Sequence, residues 1–142
     1  MLGGVGESHG QLSPDGQWMA YVSDESGASE VYVRPFPPGD GKWQISPRGG
    51  TEPKWREDGK ELFYLAPDRK LMSVAVRTTR GFAADVARPL FDTTLSGTTT
   101  AVVGQYQYDV TADGQRFLLI QPVGSASAPM TVVVNWTAIL HP

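Results

Sequence analysis

Short apolar runs, about five to eight residues long, recur along the whole chain between clusters of Gly, Pro, Asp and Ser. No segment sustains a helical period; "WTAILHP" near the end has room for one turn at most. Three of the runs share one lead-in: "SPDGQWMAYVSD" from Ser13, "REDGKELFYLAPD" from Arg56 and "TADGQRFLLIQPV" from Thr111. Each places Asp-Gly, then Gln or Lys, directly before a β-rich stretch. The pairs Asp15-Gly16, Asp58-Gly59 and Asp113-Gly114 lie 43 and 55 residues apart. Asp-Gly between two apolar runs signals a β-hairpin, because a two-residue turn needs positive φ, which Gly takes freely and Asp tolerates.

This pattern predicts incoming strands near Gly10–Ser13, Glu52–Arg56 and Gln105–Thr111. Outgoing strands are predicted at Gln17–Ser23, Lys60–Leu65 and Gln115–Gln121, with third strands at Ser29–Phe36, Lys70–Val76 and Met130–Trp136. Short fourth strands are expected at Lys42–Ser46 and Arg88–Asp92. Alternation sets Trp18, Ala20 and Val22 on one face and Met19 and Tyr21 on the other. Both faces are apolar, as in a sheet covered on both sides. Four antiparallel strands in about 43 residues is the size of one β-propeller blade. The fold class is therefore all-β: a partial β-propeller of about three four-stranded antiparallel blades, at about 10–46, 50–92 and 105–140. "TTLSGTTTAVVG" (93–104) is expected as a polar, flexible insertion.

The stretches "SPDGQWMAYVSDESG", "EVYVRPFP", "GGTEPKWREDGKELFYL" and "YDVTADGQRFLL…TVVVNWTAIL" carry a resemblance. Together they resemble the C-terminal blades of TolB-like, WD40-like (PD40) bacterial propellers. Such propellers occur in periplasmic proteins and as sensor portions of serine/threonine kinases. The likeness spans about Glu7 to Leu140 and implies a non-enzymatic module that binds or scaffolds a protein or small ligand. It also implies a periplasmic or extracytoplasmic setting if the chain belongs to a longer protein of this kind. Three blades fall short of the six or seven of a complete ring. Two outer sheet faces would then lie open, so the expected partner is a second copy, a homodimer forming a six-bladed ring; the alternative is that the chain is a fragment of a longer propeller.

Composition narrows the chemistry. The 142 residues suffice for one domain, and 16 Gly with 11 Pro suit many tight turns. A net charge of -3 with mixed signs gives no footprint for nucleic acid. No apolar stretch nears the ~20 residues of a membrane span, and "MLGGVGESHG" lacks the regions of a signal peptide. With no cysteine and two histidines at no metal-ligand spacing, neither a cofactor nor a metal is expected.

One motif competes with this reading. "GESHG" (Gly6–Gly10) fits the G-x-S-x-G nucleophile elbow, which needs a strand-to-helix turn around its serine. Here it precedes a β-hairpin, so the structural reading makes it the lead-in to the first blade. The alternative is an esterase-like serine hydrolase using Ser8. His9 would point away from Ser8 on extended chain, so the base would be His141, brought near by ring closure or a subunit interface. Asp15 would orient the imidazole, with Asp109 and Asp113 as further candidates. The three Asp-Gly aspartates read as turn chemistry rather than a metal or acid–base set. "SDESG" lacks calcium-loop spacing, and "NWT" (Asn135–Thr137) reads as structural despite matching a glycosylation sequon. Arg34, Arg56, Arg69 and Arg116 are the candidates for facing a ligand at the channel or loop faces.

Overall fold

The computed structural model describes residues 7–93, 95, 106–122 and 129–135. Twelve strands and no helix are found among them, in three antiparallel sheets. The first blade is β1 (Glu7–Leu12), β2 (Trp18–Ser23), β3 (Glu30–Pro35) and β4 (Trp43–Gln44), hydrogen-bonded in that order. The second is β5 (Thr51–Trp55), β6 (Glu61–Leu65) and β7 (Lys70–Arg77), whose outer edge carries both β8 (Ala83–Ala84) and β9 (Arg88–Asp92). The third contains β10 (Tyr108–Val110), β11 (Arg116–Pro122) and β12 (Pro129–Asn135). β8 had no signal in the sequence, being only two alanines long.

The apolar alternation sets how the blades stack. We call the face turned toward the next blade leading and the opposite face trailing. Ala20, Val22, Val31 and Val33 on the leading face of blade 1 form one core with Leu62, Tyr64, Val74 and Val76 on the trailing face of blade 2. The leading face of blade 2, with Phe63, Leu65 and Leu71, forms a second core with Tyr108, Phe117 and Leu119 of blade 3. All five residues of β6 are buried, since successive side chains enter opposite cores. Of the segment read as a polar insertion, Thr93 and Leu95 are described, and Leu95 is buried in the second core.

The Asp-Gly hairpins differ from the two-residue turn that the sequence suggests. Four residues separate the paired ends, as when Ser13 N–H donates to the Trp18 carbonyl at 2.8 Å. Only the glycine is left-handed, with φ of 73°, 72° and 72° at Gly16, Gly59 and Gly114; the aspartates keep negative φ. The aspartate acts instead through its carboxylate, which accepts the backbone N–H two residues on: Gln17, Lys60 and Gln115 at 3.1, 2.9 and 2.9 Å. Ser13 and Thr111 add their hydroxyls to the same carboxylates at 2.6 Å in blades 1 and 3. In blade 2 the Arg56 guanidinium takes that place.

The crossover between blades 1 and 2 leaves no room for side chains. A Cβ on Gly50 would meet Ser46 Cβ and Tyr64 Cδ2, both at 2.8 Å. Gly50→Ala should therefore destabilise the fold by roughly 1–3 kcal/mol through overpacking. Gly39→Ala, where a Cβ meets nothing within 4 Å, should change stability far less. Urea unfolding of the two variants checks this.

Candidate functional site

The Asp-Gly turns line up along one end of the stacked blades. Turn 1 touches turn 2 through Pro14, whose Cδ lies 3.7 Å from the Cβ position of Gly59. Turn 2 presses on turn 3 through Arg56, whose Cδ lies 2.7 Å from the Cβ position of Gly114. Between the first two turns opens a cleft of ≈ 670 Å³. Trp18 and the buried Val76 supply its apolar part, and Trp18 packs on Trp43 and Phe82 at 5.7 and 5.4 Å. Trp18 Nε1 is buried with no hydrogen-bond partner among the described residues. Asp15, Asp58, Lys60 and Arg77 line the cleft with exposed side chains, joined by Thr78 and Thr79.

These charges differ in how far they are already engaged. The Ser13 hydroxyl and then the Gln17 N–H hold the Asp15 carboxyl below the usual range, so it is ionised at neutral pH. The Arg56 guanidinium does the same for Asp58, through bonds of 2.9 and 2.8 Å. Arg77 pairs with Asp85 at 2.9 Å, and the Lys60 charge adds a smaller stabilisation of the Asp58 carboxylate. Arg56 also reaches the buried Glu61 at 2.7 Å, and Glu61 further accepts from Ser73 and Arg88. That cluster is a closed ion network in the seam between blades 2 and 3.

At the other end of the innermost strands lies a second polar row. Register shifts place a bulge in β1 between Ser8 and Gln11 and in β5 between Thr51 and Lys54. His9 and Glu52 occupy these bulges with φ of 54° and 56°. They stand 43 residues apart, the same step as Asp15 and Asp58. Glu52 is buried, and its carboxylate accepts the Gln107 N–H at 2.5 Å and the Gln107 side-chain amide at 2.6 Å. The Tyr106 hydroxyl donates to the Pro53 carbonyl at 2.9 Å, and burial pushes its pKa up. Its ring meets His9 edge-on at 4.9 Å and lies under Lys54 Nζ at 4.3 Å. This row ties the three inner strands together.

The residues singled out from the sequence fall as follows. Ser8 sits within β1 opposite Val22, in a strand that leads to a turn, not to a helix. Asp15 lies in the turn beyond the far end of that strand. His141 is outside the described residues, as are Trp136 and Thr137 of "NWT"; Asn135 ends β12. Asp109 pairs with Lys54 at 3.4 Å. Asp113 is held by Thr111 and by the Gln115 N–H. The four arginines do not share one site. Arg34 lies over Tyr21 at 4.4 Å on the trailing face of blade 1, and Arg56 is committed to Asp58 and Glu61. Arg69 sits in the turn at the far end of β6, with φ 72°, and its carbonyl accepts from Thr93. Arg116 is exposed beside a smaller hollow of ≈ 320 Å³ on blade 3. Lys60, which lies in the Asp-Gly repeat itself, was passed over, whereas Arg77, Thr78 and Thr79, at and just past the end of β7, reach the cleft only through the fold. Among the described residues no three His, Asp or Glu side chains gather as a metal-ligand set.

No family model matches the chain, and neither does any curated protein. Among solved structures, it is similar to TolB from Acinetobacter baumannii, with a TM-score of 0.61 at 14% identity over 89% of this chain. It is also similar to an oligogalacturonate lyase from Vibrio parahaemolyticus, with a TM-score of 0.53 at 16% identity over 77% of this chain. The chain spans 29% and 27% of the lengths of those two structures. Likeness at such identities speaks to fold: the chain is a partial β-propeller of TolB-like architecture.

The depressed Asp58 pKa has a stability consequence. A carboxylate stabilised in the folded state contributes above its unfolded pKa of ~3.9, and the contribution is lost as pH falls through the lower folded value. Water screens this exposed pair to at most ~1 kcal/mol. Asp58→Asn should lower the urea midpoint at pH 7 and flatten its fall below about pH 4. Urea midpoints measured across pH for both proteins test this.

Proposed function

We propose that this three-blade unit is a non-enzymatic binding module whose ligand sits in the cleft between the first two Asp-Gly turns. The observation that carries this is the cleft's composition. An apolar part of Trp18 and Val76 is bordered by two carboxylates, Asp15 and Asp58, and two cations, Lys60 and Arg77. A few polar groups around an apolar pocket is the usual make-up of a ligand site. Both signs of charge suit a peptide segment with acidic and basic side chains flanking an apolar one. The lining supports binding rather than catalysis. Among the described residues, its one serine, Ser13, donates its hydroxyl to Asp15 and accepts the Trp18 N–H, and no histidine lines the cleft.

Tripeptides carrying Lys and Glu on either side of Leu are suitable probes for amide NMR titration. The expected shifts cluster at Gly16, Gly59, Lys60, Thr78 and Thr79, and Lys60→Glu should weaken binding about tenfold, or ~1.4 kcal/mol. Shifts scattered away from the cleft, no shifts at millimolar peptide, or cleavage of the peptide would count against the reading.

A further inference from the structure

The three Asp-Gly turns share one backbone arrangement, yet they differ in what answers the charge of the aspartate. Two residues before it the repeat carries Ser13, Arg56 and Thr111; two after, Gln17, Lys60 and Gln115; three after, Trp18, Glu61 and Arg116. Turn 2 therefore has a cation on either side, and the Arg56 guanidinium grips both oxygens of Asp58 at 2.9 and 2.8 Å. At turn 3 the Arg116 charge adds to the hold of Thr111 and the Gln115 N–H on Asp113. At turn 1 all three positions are uncharged. Asp15 Oδ1 accepts the Ser13 hydroxyl at 2.6 Å and the Gln17 N–H at 3.1 Å, and no cation among the described residues pairs with this carboxylate. Two donors thus fix its direction without neutralising its charge. Asp15 and Asp58 both line the cleft, together with Trp18. Of these two carboxylates, Asp58 is already answered from within the chain and Asp15 is not.

We infer that Asp15 is the residue that selects the ligand: its Oδ2 receives an ammonium or guanidinium group whose apolar neighbour lies on Trp18. This rests on the reading of the cleft as a ligand site, and it assigns the two ends of that ligand. The basic end belongs at turn 1, and the acidic end at turn 2 beside Lys60. A hydrogen bond to an ionised carboxylate is roughly twice as strong as one between neutral groups. The Ser13 and Gln17 donors hold the carboxylate in place before the ligand arrives, so little side-chain freedom is lost on binding. The Trp18 ring, three residues on, attracts a cation through its quadrupole as well as offering apolar surface. An acidic group placed at turn 1 meets the opposite, a like charge with no cation beside it.

The test compares two peptides, Lys-Leu-Glu blocked at both ends and the same peptide with Nε-acetyl-lysine, which keeps the length and removes the charge. Each is titrated at pH 7 into the wild type, Asp15→Asn and Asp58→Asn, with binding followed by amide NMR. Asparagine keeps a carbonyl oxygen for the Gln17 N–H, and intact mass confirms that the new amide has not hydrolysed. The wild type should bind the charged peptide about fivefold more tightly than the acetylated one, the size of an exposed ion pair. Asp15→Asn should erase that gap, whereas Asp58→Asn should move both affinities together and preserve it. Shifts in the cleft with equal wild-type affinity for the two peptides overturn the inference and leave the cleft standing as a ligand site. A gap that survives Asp15→Asn, or that Asp58→Asn erases as fully, overturns it as well. No shifts in the cleft with either peptide overturn both readings. Should Asp15→Asn fail to fold, Asp15→Ser offers a hydroxyl to the same N–H, and a gap that persists there overturns the inference equally.

Discussion

Burial of the second blade on both faces is the interaction on which the rest of the structure depends. Leu62 and Tyr64 enter one core while Phe63 and Leu65 enter the other, and none of the four is more than 1% exposed. At about 1.5–3 kcal/mol for each large side chain fully buried, β6 anchors two seams with one strand. The one charge on this strand, Glu61, is tolerated because Arg56, Arg88 and Ser73 surround it. Removing Arg56, the nearer of its two cations, would leave this buried carboxylate poorly compensated.

Stacking by sheet faces puts the strand ends, and therefore the turns, in register from blade to blade. The Asp-Gly turns become a row, and their glycines serve two purposes. Each takes the left-handed conformation, and at Gly114 the missing side chain also lets Arg56 lie against the turn. The opposite ends of the inner strands are drawn together by buried polar contacts, with Glu52 gripping Gln107 and Tyr108 donating to the Glu52 carbonyl at 2.7 Å. The cleft follows from this geometry, because it is the gap left where two turns diverge above Trp18.

Much of the fold was legible in the sequence because turn chemistry and alternation are local. The Asp-Gly pairs located three hairpins, and period-two alternation separated Ala20 and Val22 from Met19 and Tyr21. The turn conformation was not legible. Asp-Gly fits both a two-residue turn and a four-residue turn, and only the length of pairing decides between them. The bulges at His9 and Glu52 were hidden for a related reason, since neither residue type announces positive φ. The candidate site was half visible. Asp15, Asp58 and Lys60 stand at repeat positions, but Arg77 and the two threonines join them through tertiary packing. The arginines failed to converge because sequence position assigns a residue to a strand and not to a seam, and Arg56 was already claimed by Glu61.

Amide hydrogen exchange under native conditions tests the central claim most directly. If the doubly covered blade anchors the molecule, the slowest-exchanging amides lie in β6 and β7, opening only with global unfolding. The amides of β2 and β11, each covered by a neighbouring blade on one side only, should exchange faster. Slowest exchange in blade 1 or blade 3, or uniform protection across all three, would contradict the account.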